Sequence, residues 1–214
     1  MDQEIDIITS ETRKEKIKSF LINKRKIIIS IILILLLGLF GFFLYQEKEK
    51  LNRESLANKF NATINEYESG DKSKILNSMK QIIEHKDKTY SPLAFYYLLD
   101  NNLITSKEQI NRYFDIIIDE ISLDKENKNL TIFKKGLFNS EFVNENELLS
   151  ILNPIIKSES IWKPHALYLM AEYYFAKKEK QKSKEFFEQL INLEDISLKI
   201  KVEAQKRLRS DFGE

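Results

Sequence analysis

The sequence predicts an all-α chain: one N-terminal helix able to span a membrane, then about four antiparallel helix pairs closed by a C-terminal capping helix. Three observations lead there. Residues 27–45 read IIISIILILLLGLFGFFLY, without a charge or a proline. From about residue 46 onward, apolar residues recur at spacings of three and four, the period of an amphipathic helix. The chain has 5 Gly and 3 Pro in 214 residues, too little turn chemistry for many short strands.

The apolar run comes first. Nineteen residues of helix reach about 28 Å, close to the hydrocarbon thickness of a bilayer. The run is longer than the apolar core of a cleavable signal, and GFFLYQEKEK after it offers no small-x-small cleavage site, so an uncleaved anchor is expected. Arg13, Lys14, Lys16, Lys18, Lys24, Arg25 and Lys26 precede it, against Lys48, Lys50, Arg53 and Lys59 after it. The excess on the N-terminal side places the N-terminus in the cytoplasm. The expected division is residues 1–26 as a cytoplasmic tail, 27–45 as a transmembrane anchor and 46–214 as a domain across the membrane. In the tail, Thr12-x-x-Glu15 matches a capping box, and Ile17, Phe20 and Leu21 share a helical face between basic residues. That pattern fits either a helix lying on the inner membrane surface or a flexible charged tail.

The helices beyond the anchor follow in order. One over about 48–69 carries Leu51, Leu56, Phe60, Ile64 and Tyr67 and stops at Ser69-Gly70-Asp71. The next, about 72–86, carries Ile75, Met79, Ile82 and Ile83. Ser91-Pro92 opens a helix over about 91–102, with proline in the first turn, where its missing N–H costs nothing. Ser106-x-x-Gln109 caps a helix over about 106–121. The charged stretch Asp124 to Asn129 is read as a spacer before helices over about 130–143 and 145–157. Trp162-Lys163-Pro164 opens the helix over about 163–177, its partner covers about 180–192, and a last helix covers about 197–209.

The pairs repeat. Within 164–197, Leu167, Met170, Ala171, Tyr174, Ser183, Phe187 and Leu190 fall at the spacing of the tetratricopeptide signature, with Lys178 where glycine is usual. Small Ala171 and Ser183 would let two helices cross closely. Anchoring on the second helix of each pair gives Met79, Phe114, roughly Leu149 and Phe187, a repeat of about 34 residues with drift. The fold class is therefore a transmembrane helix followed by a tetratricopeptide-like α-solenoid, and a solenoid needs about three units to bury a continuous core.

Composition excludes much chemistry. With no Cys there are no disulfides, zinc-thiolate sites, Fe–S clusters or thiol nucleophile, and no lipid-bearing cysteine of a bacterial lipoprotein. A net charge of +1 gives no field to hold nucleic acid. No HExxH, GxSxG, P-loop, GxGxxG or EF-hand pattern occurs, so no catalytic residue, cofactor or metal is expected. His85 and His165 are the two histidines, one at a helix end and one in a first turn.

Two stretches carry a family resemblance. Lys88-Thr89-Tyr90-Ser91-Pro92-Leu93-Ala94 opens the second pair, and Trp162 precedes Pro164-His165-Ala166 with the polar Lys178 to Ser183 downstream. With the order of short tail, single anchor and degenerate pairs, the chain resembles the bacterial ancillary subunit of the Sec translocon. The resemblance implies a non-enzymatic binding protein of the bacterial inner membrane with a periplasmic repeat domain. Its implied partners are translocon subunits, a membrane-anchored prolyl-isomerase-like chaperone and unfolded secreted proteins. A different envelope scaffold, coordinating division or outer-membrane assembly, is the alternative. The first helix of each pair would face the concave side, so Phe95, Leu99, Tyr168, Glu172 and Phe175 are the expected partner-binding residues.

Overall fold

The computed structural model describes residue 18, residues 20–66 and residues 71–213. The expected capping box at Thr12 and Glu15, Ile17 of the amphipathic face, Tyr67 and the Ser69-Gly70 stop lie outside the described residues. Among the described residues there are helices and turns and no strand. Two compact units divide at Leu56 and Ala57.

The first unit is dominated by helix α1 (Arg25–Asn65), whose residues run on into the second unit. It is long and apolar enough to cross a membrane, and its most apolar stretch contains no buried residue. Ile29, Leu35, Phe40 and Phe43 each expose more than half of their surface. Ser30, the one serine of the span, donates its Oγ hydrogen to the Lys26 carbonyl 2.9 Å away, so it adds no unsatisfied group to the apolar surface. Gly38 and Gly41 have open space where a Cβ would sit, so neither marks a close helix approach within this chain. The helix does not end at Tyr45. QEKEK continues it with good helix formers, and Glu49 pairs with Arg53 one turn on at 3.1 Å.

The second unit contains α2 (Lys72–Glu84), α3 (Tyr90–Asp100), α4 (Lys107–Asp115), α5 (Lys125–Asn139), α6 (Glu145–Ile156), α7 (Lys163–Ala176), α8 (Lys180–Ile191) and α9 (Leu198–Phe212). A π-helical turn, Ile116–Glu120, extends α4 and buries Ile116, Ile117 and Ile118. Side chains set the starts. Asp71 accepts from the Ser73 N–H at 2.8 Å, Ser106 from Gln109 at 3.2 Å, and Asn144 with Glu147 forms a capping box on α6. Asp124 caps α5 by accepting from Asn127 at 3.0 Å, so the charged run read as a spacer is the first turn of that helix. Its carboxyl is held below the usual range, chiefly by that backbone N–H.

Helices pack mostly on sequence neighbours, α2 on α3, α4 on α5, α5 on α6, α6 on α7, α7 on α8 and α8 on α9; α5 also meets α7 directly. The most extensive of these contacts is between α7 and α8. Ala171 and Ser183 are both fully buried there, and Ser183 Oγ donates to the Ala171 carbonyl at 2.8 Å. Leu167, Phe187, Leu190, Ala204 and Leu208 complete that core, which joins α7, α8 and α9. Of the four expected anchors, Met79, Phe114 and Phe187 are buried. At the third, Leu148 is the buried residue and Leu149 is half-buried, a shift of one position.

Five of the residue pairs hydrogen-bonded between elements lie a similar step apart, alongside others at shorter separations such as Asn111 and Asn139. Tyr96 and Thr131 are 35 apart, Lys125 and Glu159 are 34, Glu126 and Ser160 are 34, Glu145 and Lys182 are 37, and Glu172 and Arg207 are 35. Whereas Ser140 after α5 is right-handed, Lys86 after α2, Asn102 after α3 and Lys178 after α7 adopt left-handed backbone, at φ 56°, 52° and 65°. That is the geometry for which glycine is favoured, and Lys178 is the position where the signature has glycine.

Candidate functional site: an apolar groove on α5, α7 and α9

A groove of about 580 Å³ opens between α5, α7 and α9, lined almost wholly by apolar surface. Phe133 and Leu137 form the α5 wall; Tyr168 and Leu169 form the α7 wall; Ile200 forms the α9 wall. The three helices contribute because they are the alternate members of the stack. Phe133, Tyr168 and Glu203 are 35 residues apart in turn; Tyr168 and Glu203 lie at matching places in α7 and α9, and Phe133 lies about one turn further along α5.

Polar groups are few. Glu172 and Glu203 line the side next to Tyr168, and Lys199 and Ser197 lie at the start of α9. Glu172 is held by Arg207 of α9, whose Nε and Nη2 donate to its two carboxylate oxygens at 2.8 Å each. The fork fixes α9 against α7 with the directional geometry of a bidentate pair. Burial pushes the Tyr168 phenol above the usual tyrosine range; Glu172 and Glu203 push it the same way, and Arg207 opposes them. Both carboxylates therefore act on the same point of the groove.

At the other end, Trp162, His165 and Phe133 form an aromatic cluster. Trp162 stacks on Phe133 at 5.9 Å, and His165 lies 5.2 Å from Trp162 and 5.7 Å from Phe133. His165 Nδ1 is buried and has no hydrogen-bond partner among the described residues. Buried polar atoms are normally paired, so this atom marks the groove end as polar-deficient.

The five residues expected to bind a partner do not come together. Tyr168 and Glu172 line the groove. Phe95 does not: it is fully buried, with Phe114 at 4.7 Å and Tyr113 at 5.8 Å, and serves the core between α3 and α4. Leu99 is half-buried on α3, outside the groove walls. Phe175 is covered by α9, with the Arg207 guanidinium 4.4 Å from its ring and Phe212 at 6.1 Å. Phe133, Leu137, Ile200 and Glu203 are the groove residues that pattern reading missed. Stepping 35 residues either way from Tyr168 finds Phe133 and Glu203, so the signal was present in the repeat length.

Among the described residues no group of three or more acidic or histidine side chains is placed to hold a metal ion. Compared with models of known families, with curated proteins and with solved structures, the chain matches none. The groove is thus read from its own chemistry: an apolar trough with an aromatic end and a carboxylate side, of a size and polarity that can hold apolar side chains.

Proposed function

We propose that this chain is a single-pass membrane protein of the bacterial plasma membrane whose C-terminal domain is a tetratricopeptide-like binding scaffold. Its N-terminus is cytoplasmic and its repeat domain periplasmic. It acts as an ancillary subunit of the Sec translocon, linking the channel to a membrane-anchored prolyl-isomerase-like chaperone and to newly translocated proteins.

The observation that carries this reading is the pairing, in one chain, of a helix whose most apolar stretch is wholly unburied with an apolar groove between α5, α7 and α9. The repeat character is supported by the bonds joining residues 34 to 37 apart and by the left-handed turns at Asn102 and Lys178. Function needs little more than position. A tether confines the groove to the neighbourhood of the channel, so weak capture becomes effective at high local concentration. The translocon assignment itself rests on the sequence resemblance.

The test is mild detergent extraction of a tagged full-length chain from its own cells, followed by identification of what co-purifies. Translocon subunits and an isomerase-like chaperone are expected, with photo-cross-links from positions within Ile27–Tyr45 to a channel subunit. Recovery of division or outer-membrane assembly proteins in their place would move the chain to the envelope-scaffold reading. Protease added to spheroplasts should digest the region after the anchor; protection of that region would refute the orientation.

A further inference from the structure

Resting on the scaffold reading above, the groove's chemistry narrows what it captures. We propose that it takes a polypeptide segment in which a bulky apolar side chain stands beside a Lys or Arg, and that it discriminates against segments carrying an acidic residue there.

Three features converge on that partner. The walls, Phe133, Leu137 and Ile200, are apolar and cannot satisfy backbone or charge, so they select a large aliphatic or aromatic side chain. Aromatic faces carry negative potential, and the groove offers Phe133 and Tyr168. Two carboxylates flank the same place, and they differ in availability. Glu172 is neutralised by its fork to Arg207, whereas Glu203 forms no ion pair among the described residues. A cation entering beside Tyr168 meets ring faces and, at the solvent-exposed edge of the apolar trough, a carboxylate that no ion pair among the described residues holds. The groove's own cation, Lys199, lies one helical turn before Glu203 at the start of α9. It repels a basic residue at that end, so the segment docks with its charge toward Glu203. An acidic side chain placed beside Tyr168 meets Glu203 directly, Glu172 being already held by Arg207, and has only Lys199, one turn back along α9, to offset that repulsion.

Trp162 is the only tryptophan of the chain and stacks on the Phe133 wall, so its emission reports occupancy directly. The experiment titrates the full-length chain in detergent micelles with two capped peptides, Gly-Phe-Leu-Arg-Leu-Gly and Gly-Phe-Leu-Glu-Leu-Gly. The Arg peptide should shift Trp162 emission and bind about fivefold more tightly than the Glu peptide. Glu203→Gln, at an exposed position, should reduce that preference to about twofold or less while leaving the thermal melt unchanged. Equal affinity for the two peptides, or a preference indifferent to Glu203→Gln, overturns the charge selection and leaves the groove as a capture site. No Trp162 response to either peptide, with photo-reactive versions cross-linking outside α5, α7 and α9, overturns both the selection and the groove.

Discussion

Truncating Phe95 to alanine separates a surface role from a core role by stability alone. The ring has no solvent exposure and touches Phe114 at 4.7 Å edge-on, Tyr96 at 5.5 Å and Tyr113 at 5.8 Å. Alanine removes those contacts and leaves a void that the surrounding rings cannot close, since Phe114 is itself 1% exposed. Large-to-small changes of this kind cost about 3–5 kcal/mol. For a unit of this size each kcal/mol lowers Tm by about 2–4 °C, so a fall of about 6–20 °C is expected. The full chain should be melted in detergent and followed by far-ultraviolet circular dichroism. A membrane helix keeps its backbone bonds in micelles, so the cooperative change belongs to the soluble unit. Leu137→Ala, at 52% exposure, is the control and should stay within about 0.5 kcal/mol of the parent. A Phe95→Ala melt within 2 °C of the parent, or an equal fall for Leu137→Ala, would refute the placement of Phe95 in the core.

Other perturbations follow from the same packing. Ser183→Ala removes the bond to the Ala171 carbonyl and should cost about 1 kcal/mol, while Ser183→Val forces bulk into the α7–α8 crossing and should cost about 1–3 kcal/mol more; equal melts for the two would show that the crossing has slack. Lys178→Gly relieves left-handed backbone at φ 65° and should stabilise by about 0.5–1 kcal/mol in denaturant titrations; a loss of stability would mean the lysine side chain contributes more than the strain. Tyr96, Tyr113, Tyr168, Tyr173 and Tyr174 all have phenols pushed up, in each case chiefly by burial. Unfolded tyrosines ionise near pH 10, so the stability these groups supply is complete below about pH 10 and is lost as pH rises from there through the higher folded values. The denaturation midpoint should accordingly fall between pH 9 and pH 11, and an unchanged midpoint would count against the burial of these phenols.

How far the sequence could be read depended on the physical range of each signal. Local signals were legible: the cap at Ser106, the proline opening of α7 and the start of α6 at Glu145 all follow from groups within one turn. The start of α5 was misplaced because Asp124 to Asn129 is rich in charge, and charge was read as a spacer; the cap Asp124 was the stronger signal. Adjacent aromatics divided as helical geometry requires, with Tyr96 bonding Thr131 while Tyr97 meets the ring of Phe60. Which helical face is buried was less legible, since it depends on neighbours far along the chain. Phe95 and Tyr168 look alike in local pattern, yet Phe95 is enclosed by Tyr113 and Phe114 whereas Tyr168 borders open space. The cover over Phe175 was illegible for a similar reason: Phe212, whose ring meets it, lies 37 residues downstream. The groove is a property of three segments that only the repeat length relates.

The contacts of the second unit, mostly between helices adjacent or one removed in sequence, also shape how its sequence can change. A residue in α2 and one in α9 share no packing, so a substitution at one end leaves the fit at the other untouched. Selection can then alter the groove-bearing end while the opposite end drifts.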